Sequence, residues 1–153
     1  MQQILLFLHS TVRWLVLAGL FIAIYTGLRS YLRQKPFDKK ANLIRHLTAT
    51  IVHIQLIVGI TLYFQSPAVK QFMATSADFS RLTEPLFFGI IHISLMILSV
   101  LIITIGSALS KRQPSDQEKF RVMLVWFVTG LIIILIAIPW PFSPLAQRPF
   151  IRL

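Results

Sequence analysis

His9, Arg13, His46, His53, Gln55 and His92 all stand inside long apolar stretches of the chain. Ionisable and amide side chains are costly in such surroundings, so their presence points to a site. Imidazole is the natural ligand of haem iron. Bis-histidine ligation of haem b takes two imidazoles from facing helices at similar depth, as a helical bundle can supply. His9, His53 and His92 are the candidate metal ligands. Arg13 lies one turn after His9 on the same helical face and is a candidate partner for a haem propionate or a quinone. Gln55 completes the candidate cofactor-binding set. The chain has no cysteine, which excludes disulfides, thiolate metal sites, iron–sulfur clusters and covalent c-type haem attachment.

The elements that must hold these groups are membrane spans. Of the 153 residues 56% are hydrophobic and only 13% charged, and the mean hydropathy is +0.74. A soluble domain carries about 45–50% apolar and about 25% charged residues, so neither a soluble nor a disordered chain fits. Four apolar runs, at about 4–28, 43–64, 86–109 and 122–139, approach the roughly 20 residues that a bilayer requires. The expected fold is an all-α integral membrane protein, an antiparallel four-helix bundle forming a single membrane domain over residues 1–153. The first run has no basic residue ahead of it and is broken by His9 and Arg13, unlike a cleavable signal peptide. Pro36 and Pro114 fall in connections, Pro85 opens the third helix, and Pro139 and Pro141 close the fourth around Trp140. A Pro-rich tail, 142–153, follows. In the connection 65–83, Phe72, Met73 and Phe79 suit either a short amphipathic cap or an ordinary loop.

Charge gives the expected orientation. The first connection holds Arg29, Arg33, Lys35, Lys39, Lys40 and Arg45 against Asp38 alone. The third holds Lys111, Arg112, Lys119 and Arg121 against Asp116 and Glu118. In the second, Lys70 and Arg81 are balanced by Asp78 and Glu84. The positive-inside rule makes the first and third connections cytoplasmic and both termini periplasmic, in a bacterial inner membrane. The net charge of +10 then reports attraction to anionic lipid rather than to nucleic acid.

Depth follows from a rise of about 1.5 Å per residue. His9, Arg13 and His92 lie in the outer half, His53 near mid-span and His46 near the cytoplasmic end. His9 with His92 is the best-matched pair and His53 with His92 the second. His46 and His53, seven residues and about 10 Å apart, are too close for two stacked haems, so one haem is expected and a second is open. His46, beside Arg45, reads as solvated, and Gln55 also suits interhelical bonding. Arg13 also suits snorkelling or a pair with Glu84. Gly19, Ala23 and Gly27 form a small-residue stripe for helix packing, and Met96 reads as core. Carboxylate pairs within the spans, phosphate loops and hydrolase motifs are missing from the sequence, so pump, kinase and hydrolase readings have no support.

The run His9-Ser10-Thr11-Val12-Arg13-Trp14 resembles the H-S-x-x-R-W opening of a family of small four-helix Bacteroidetes membrane proteins labelled cytochrome B, or cytochrome b-like. The likeness continues at His53-Ile54-Gln55-Leu56 with Gly59 and Leu62-Tyr63-Phe64, at Ile103-Thr104-Ile105-Gly106, and at Ile138-Pro139-Trp140-Pro141-Phe142. It departs where the family often has Glu before the third-helix histidine, here Ile91, and a histidine at the start of the fourth helix, here Lys119 to Arg121. The resemblance implies a respiratory-chain cytochrome b-like subunit, with His9, Arg13, His53, Gln55 and His92 as its site.

Three functions are therefore expected to compete. One is a haem b electron-transfer subunit, possibly linked to quinol, working in the bilayer with other membrane subunits or as a homo-oligomer. The second is a haem-free accessory subunit of a membrane complex. The third is a quinone-binding protein using histidine and Arg13 directly. The chain has no second catalytic domain, so any redox role is that of a relay rather than a self-contained enzyme.

Overall fold

The computed structural model describes residues 2–74, 83–142 and 148–150. These include α1 (Gln2–Leu32), α2 (Lys39–Gln65) and the short α3 (Pro67–Ala74). A third span, Glu84–Arg112, is built from α4 (Glu84–Leu86), a π-helical turn (Phe87–Ile91) and α5 (His92–Arg112); α6 (Asp116–Ala137) follows. Among the described residues there is no strand. Four of these segments are long and apolar enough to cross a membrane. Phe79, Asp78 and Arg81, and most of the tail beyond Phe142, lie outside the described residues.

Three of the helix starts are closed by side-chain caps. Asp38 accepts the Ala41 N–H at 2.8 Å to open α2. Ser115 Oγ accepts the Glu118 N–H and donates to the Glu118 carboxylate, both at 3.2 Å, which caps the start of α6. Thr83 accepts the Leu86 N–H at 3.3 Å, with Pro85 in the first turn where its missing donor costs little. Several boundaries differ from expectation: α2 starts at Lys39 rather than 43, α5 runs to Arg112 rather than 109, and α6 starts at Asp116 rather than 122. The first helix runs one turn past residue 28, to Leu32, and stops at Gln34, which takes a positive φ of 49°. The fourth helix ends at Ala137, two residues before Pro139, because neither Pro139 nor Pro141 has an N–H to continue the ladder.

The long helices pack in the ring order α1–α2–α5–α6, which puts α1 and α5 on a diagonal across the bundle. Lipid tails are as apolar as leucine, so the spans hold together by close packing rather than by exclusion from water. The expected small-residue stripe does this work on two partners. Gly19 lies against Thr48 of α2, whose hydroxyl reaches the Gly19 carbonyl at 3.2 Å, and Gly27 lies against Met123 and Leu124 of α6. The core centres on Leu20, Ile103, Phe120 and Phe127, toward the end that carries the two short connections. Toward the opposite end the middle of the bundle is a cavity.

Arg45 departs from the simple basic rim expected of it. It is only 6% exposed, and its guanidinium donates to the Ser107 carbonyl at 2.9 Å, to the Ser107 hydroxyl and to Asn42 Oδ1 at 2.8 Å. It thereby ties α2 to α5 through neutral acceptors. Arg45→Ala is expected to destabilise the bundle by about 2–3 kcal/mol, since charge-assisted bonds of this kind are lost and their partners left buried. Exposed Lys40→Ala should change nothing measurable. Thermal unfolding of the two variants in one detergent makes the comparison.

Candidate functional site

The cavity has a volume of about 370 Å³, within the roughly 300–1,000 Å³ usual for small-molecule sites. Its end near the start of α1 is polar, with Gln2, Ser66, Glu84 and Arg148; its deep end is closed by Val16, Val52, Val100 and Ile134. His9, Arg13, Gln55 and His92 all line it.

His92 is positioned by two features of its neighbourhood. The π-helical turn before it brings Gly89 under the ring of Phe72 on α3, where a Cβ would come within 2.5 Å of Phe72 Cγ. The turn leaves the Gly89 carbonyl available to the Tyr63 hydroxyl, which donates to it at 2.9 Å. The second feature is at the end of α6. An α-helix would satisfy the Ala137 carbonyl from residue 141 and the Leu135 carbonyl from residue 139, and both of those are proline. Side chains take over: Trp140 Nε1 donates to the Leu135 carbonyl at 2.9 Å, and His92 Nδ1 donates to the Ala137 carbonyl at 2.8 Å. The carbonyl can only accept, so His92 carries its proton on Nδ1 and keeps a lone pair on Nε2. A backbone carbonyl behind one ring nitrogen is the usual orienting partner of a metal-ligating histidine.

His9 sits on the diagonal helix. Its backbone carbonyl accepts from Gln55 Nε2 at 2.9 Å, which fastens α1 to α2 at this level. Its ring packs against Gly59, where a Cβ would stand 3.2 Å from His9 Cε1, so glycine makes room for the imidazole. The His9 and His92 ring centroids are 6.5 Å apart, with the ring planes at 72°. His9 Nδ1, Gln55 Oε1 and Arg13 Nε are buried without a hydrogen-bond partner. Such orphaned polar atoms beside a cavity ask for a guest.

At the polar rim, residues 148–150 lie against α1 and the span that begins at Glu84. Arg13 donates to the Phe150 carbonyl, joined by Trp14 Nε1 at 3.3 Å, and Phe150 packs against the rings of Trp14 and Trp140. The expected pairing of Arg13 with Glu84 does not occur; Glu84 is paired with Arg148, whose guanidinium also lies 5.2 Å from the Phe88 ring centroid. Arg148, Glu84 and Tyr63 were missed in the sequence as site residues. Arg148 lies in a tail with no periodicity, and only its approach to Glu84 reveals it.

His53 is not brought to the cavity. It is exposed on the outside of the bundle at the α2/α5 seam, and its Nε2 lies 2.8 Å from Thr104 Oγ1. The sequence placed it at the right depth and left its direction open; direction is what separates it from His9 and His92. His46 is exposed near the far end of α2, and Met96 lines the cavity beside the core. Among the described residues no three His, Cys, Asp or Glu side chains converge as a metal cluster. Only a metal group that brings most of its own ligands could be held by the two imidazoles. Family models, curated proteins and solved structures give no match to the chain.

Proposed function

We propose that the protein is a membrane electron-transfer subunit of the b-type cytochrome kind, holding one haem b between His9 and His92. The observation that carries this reading is the 6.5 Å separation of the two imidazoles across an apolar cavity. Two metal–imidazole bonds of about 2.0–2.1 Å account for about 4 Å of that distance, and the two ring radii for most of the rest. His92 Nε2, left unused by the bond from Nδ1 to the Ala137 carbonyl, supports the same reading. When bound, haem would supply a one-electron carrier in the outer half of the membrane. The likeness to the cytochrome b-like family supports it on His9, Arg13, Gln55 and His92; His53, which the likeness also includes, is left out of the ligand set because it is exposed outside the cavity against Thr104.

The chain's own residues then have separate tasks. His9 and His92 hold the group, and Ala137 and Gly59 orient those two rings. Gln55 clamps α1 at the level of His9. Arg13 and Arg148, at the polar end of the cavity, are the cations suited to propionates. Phe88, Trp14, Trp140 and Phe150 exclude water at the rim. The basic residues of the α1/α2 and α5/α6 connections favour a cytoplasmic position for that end, so that the polar end of the cavity faces the periplasm.

Electron paramagnetic resonance of the oxidised, haem-loaded protein tests the ligand set. A low-spin signal of bis-imidazole type is expected; a high-spin signal would overturn the pairing. Gly59→Val should displace the His9 ring and convert part of that signal to high spin, since two further methyls would enter a space where one Cβ already stands 3.2 Å from the ring.

A further inference from the structure

The first turns of α6 carry charges on two faces. On one, Lys119 pairs with Asp116 at 2.9 Å and lies 6.0 Å from the Phe37 ring centroid. On the other, Glu118 and Arg121 are exposed, and among the described residues neither is in an ion pair. They flank an open groove of about 330 Å³, lined also by Gln113, Val122, Val125 and Trp126. Glu118, Arg121, Val122 and Val125 recur at intervals of three and one and three, so the groove follows one face of the helix. Trp126 packs over Gly106 of α5, where a Cβ would come within 2.5 Å of Trp126 Cγ and 3.2 Å of Cδ2. The other two indoles of the chain donate to carbonyls, Trp14 to Phe150 at 3.3 Å and Trp140 to Leu135 at 2.9 Å. Trp126 Nε1–H has no acceptor among the described residues. Gln113 gives Nε2–H to the Leu109 carbonyl at 3.2 Å and keeps Oε1 as an acceptor.

We propose that this groove binds the headgroup of phosphatidylethanolamine. Two acceptors, the Glu118 carboxylate and Gln113 Oε1, stand at the end nearest the α5/α6 connection. Arg121 follows about 4.5 Å deeper along the helix axis and Trp126 about 7.5 Å beyond that, at about 1.5 Å per residue. An amine-bearing phospholipid in this leaflet presents its groups in the same order: ammonium, phosphate, ester carbonyls. The ammonium donates to Glu118 and Gln113. The phosphate accepts the forked donors of Arg121. The glycerol lies against Val122 and Val125, and an ester carbonyl accepts Trp126 Nε1–H. Charge complementarity selects among headgroups. Phosphatidylglycerol would satisfy Arg121 but bring no cation to Glu118, and the quaternary ammonium of phosphatidylcholine has no N–H to give. A general attraction of the basic connections to anionic lipid needs no carboxylate; here Glu118 is the selective element. The site rests on the membrane spans and is independent of the haem reading.

Native mass spectrometry of the delipidated, full-length protein tests this, with an equimolar mixture of dioleoyl phosphatidylethanolamine, phosphatidylglycerol and phosphatidylcholine offered in detergent. The wild type should retain the ethanolamine lipid about fivefold over each of the others, as one well-placed exposed ion pair allows. Glu118→Gln should abolish that preference and still bind phospholipid. Its fold should survive, because the Ser115 cap is made to the Glu118 backbone N–H. Arg121→Gln should weaken all three lipids alike. Trp126→Phe, which keeps a ring over Gly106 and removes the N–H, should do the same to a smaller extent. Lys40→Gln, in the other basic connection, should leave the preference unchanged, which separates a site from general attraction to charge. Equal retention of the three lipids by the wild type, or a preference for phosphatidylglycerol, would overturn the proposal. So would a preference that survives in Glu118→Gln. A lipid-free dimer that Arg121→Gln dissociates would also overturn it and assign the groove to a second copy.

Discussion

His92→Ala and His9→Ala, expressed with haem supplied, should each purify with less than about a tenth of the wild-type haem, whereas His53→Ala should retain it. The asymmetry follows from where the three imidazoles point. His9 and His92 face one another across the cavity at 6.5 Å, and His53 lies outside it against Thr104. Removing His9 or His92 would leave the group held by a single imidazole. The remaining apolar contacts are shared by many molecules of similar shape and do not replace a coordinate bond. Haem-to-protein ratio after size-exclusion chromatography is the readout. Equal retention in His92→Ala and His53→Ala would mean that the 6.5 Å pair is a packing contact.

The largest effect on stability is expected at Gly106. A Cβ built there lies 2.1 Å from Trp126 Cβ and 2.5 Å from Trp126 Cγ, atoms close to the α6 backbone that cannot swing away. Gly106→Ala must push α5 and α6 apart, along the most extensive helix contact of the bundle. Overpacking of this kind costs about 1–3 kcal/mol when neighbours can adjust, and this site should lie at or above the upper end. Gly19→Ala is the control. Its Cβ would meet Thr48 Oγ1 at 3.6 Å, an ordinary contact, and alanine is the better helix former by about 1 kcal/mol. Gly106→Ala should therefore unfold at markedly lower temperature than the wild type and Gly19→Ala at the same or a higher one. Equal midpoints for the two would show that α5 and α6 pack less tightly than described.

These two sites mark the limit of what the sequence discloses. The four spans were readable, because length and apolar content are local signals; α2 and α6 start four and six residues ahead of their apolar runs, in polar first turns that hydropathy does not mark. The pairing of His9 with His92 was readable from depth, since axial rise is fixed by helix geometry. Direction around the helix was not. A helix that is apolar on every side has no contrast between faces, so nothing in the pattern distinguishes an inward His92 from an outward His53. The same silence hid Arg45, whose place among the basic residues of the first connection suggested the rim while Ser107 draws it inside. Gly106 belonged to a set of span glycines with one generic role, and only the opposite helix shows that Trp126 fills its place. The π-helical turn ahead of His92 meets Phe72 and Tyr63, which are distant in sequence, whereas the short α3 falls where Phe72 and Met73 suited a short cap. Pro141 carried a readable signal that was taken only as a helix stop: a missing N–H leaves the Ala137 carbonyl four residues back in need of a donor, and His92 supplies it.

The central claim, one haem per chain, is tested most directly by a pyridine haemochrome assay on the detergent-purified wild type, paired with a dithionite-reduced spectrum. The account predicts a b-type haemochrome at one equivalent per chain. A haem-free protein, after expression with haem supplied in excess, would contradict it and turn the cavity over to another guest.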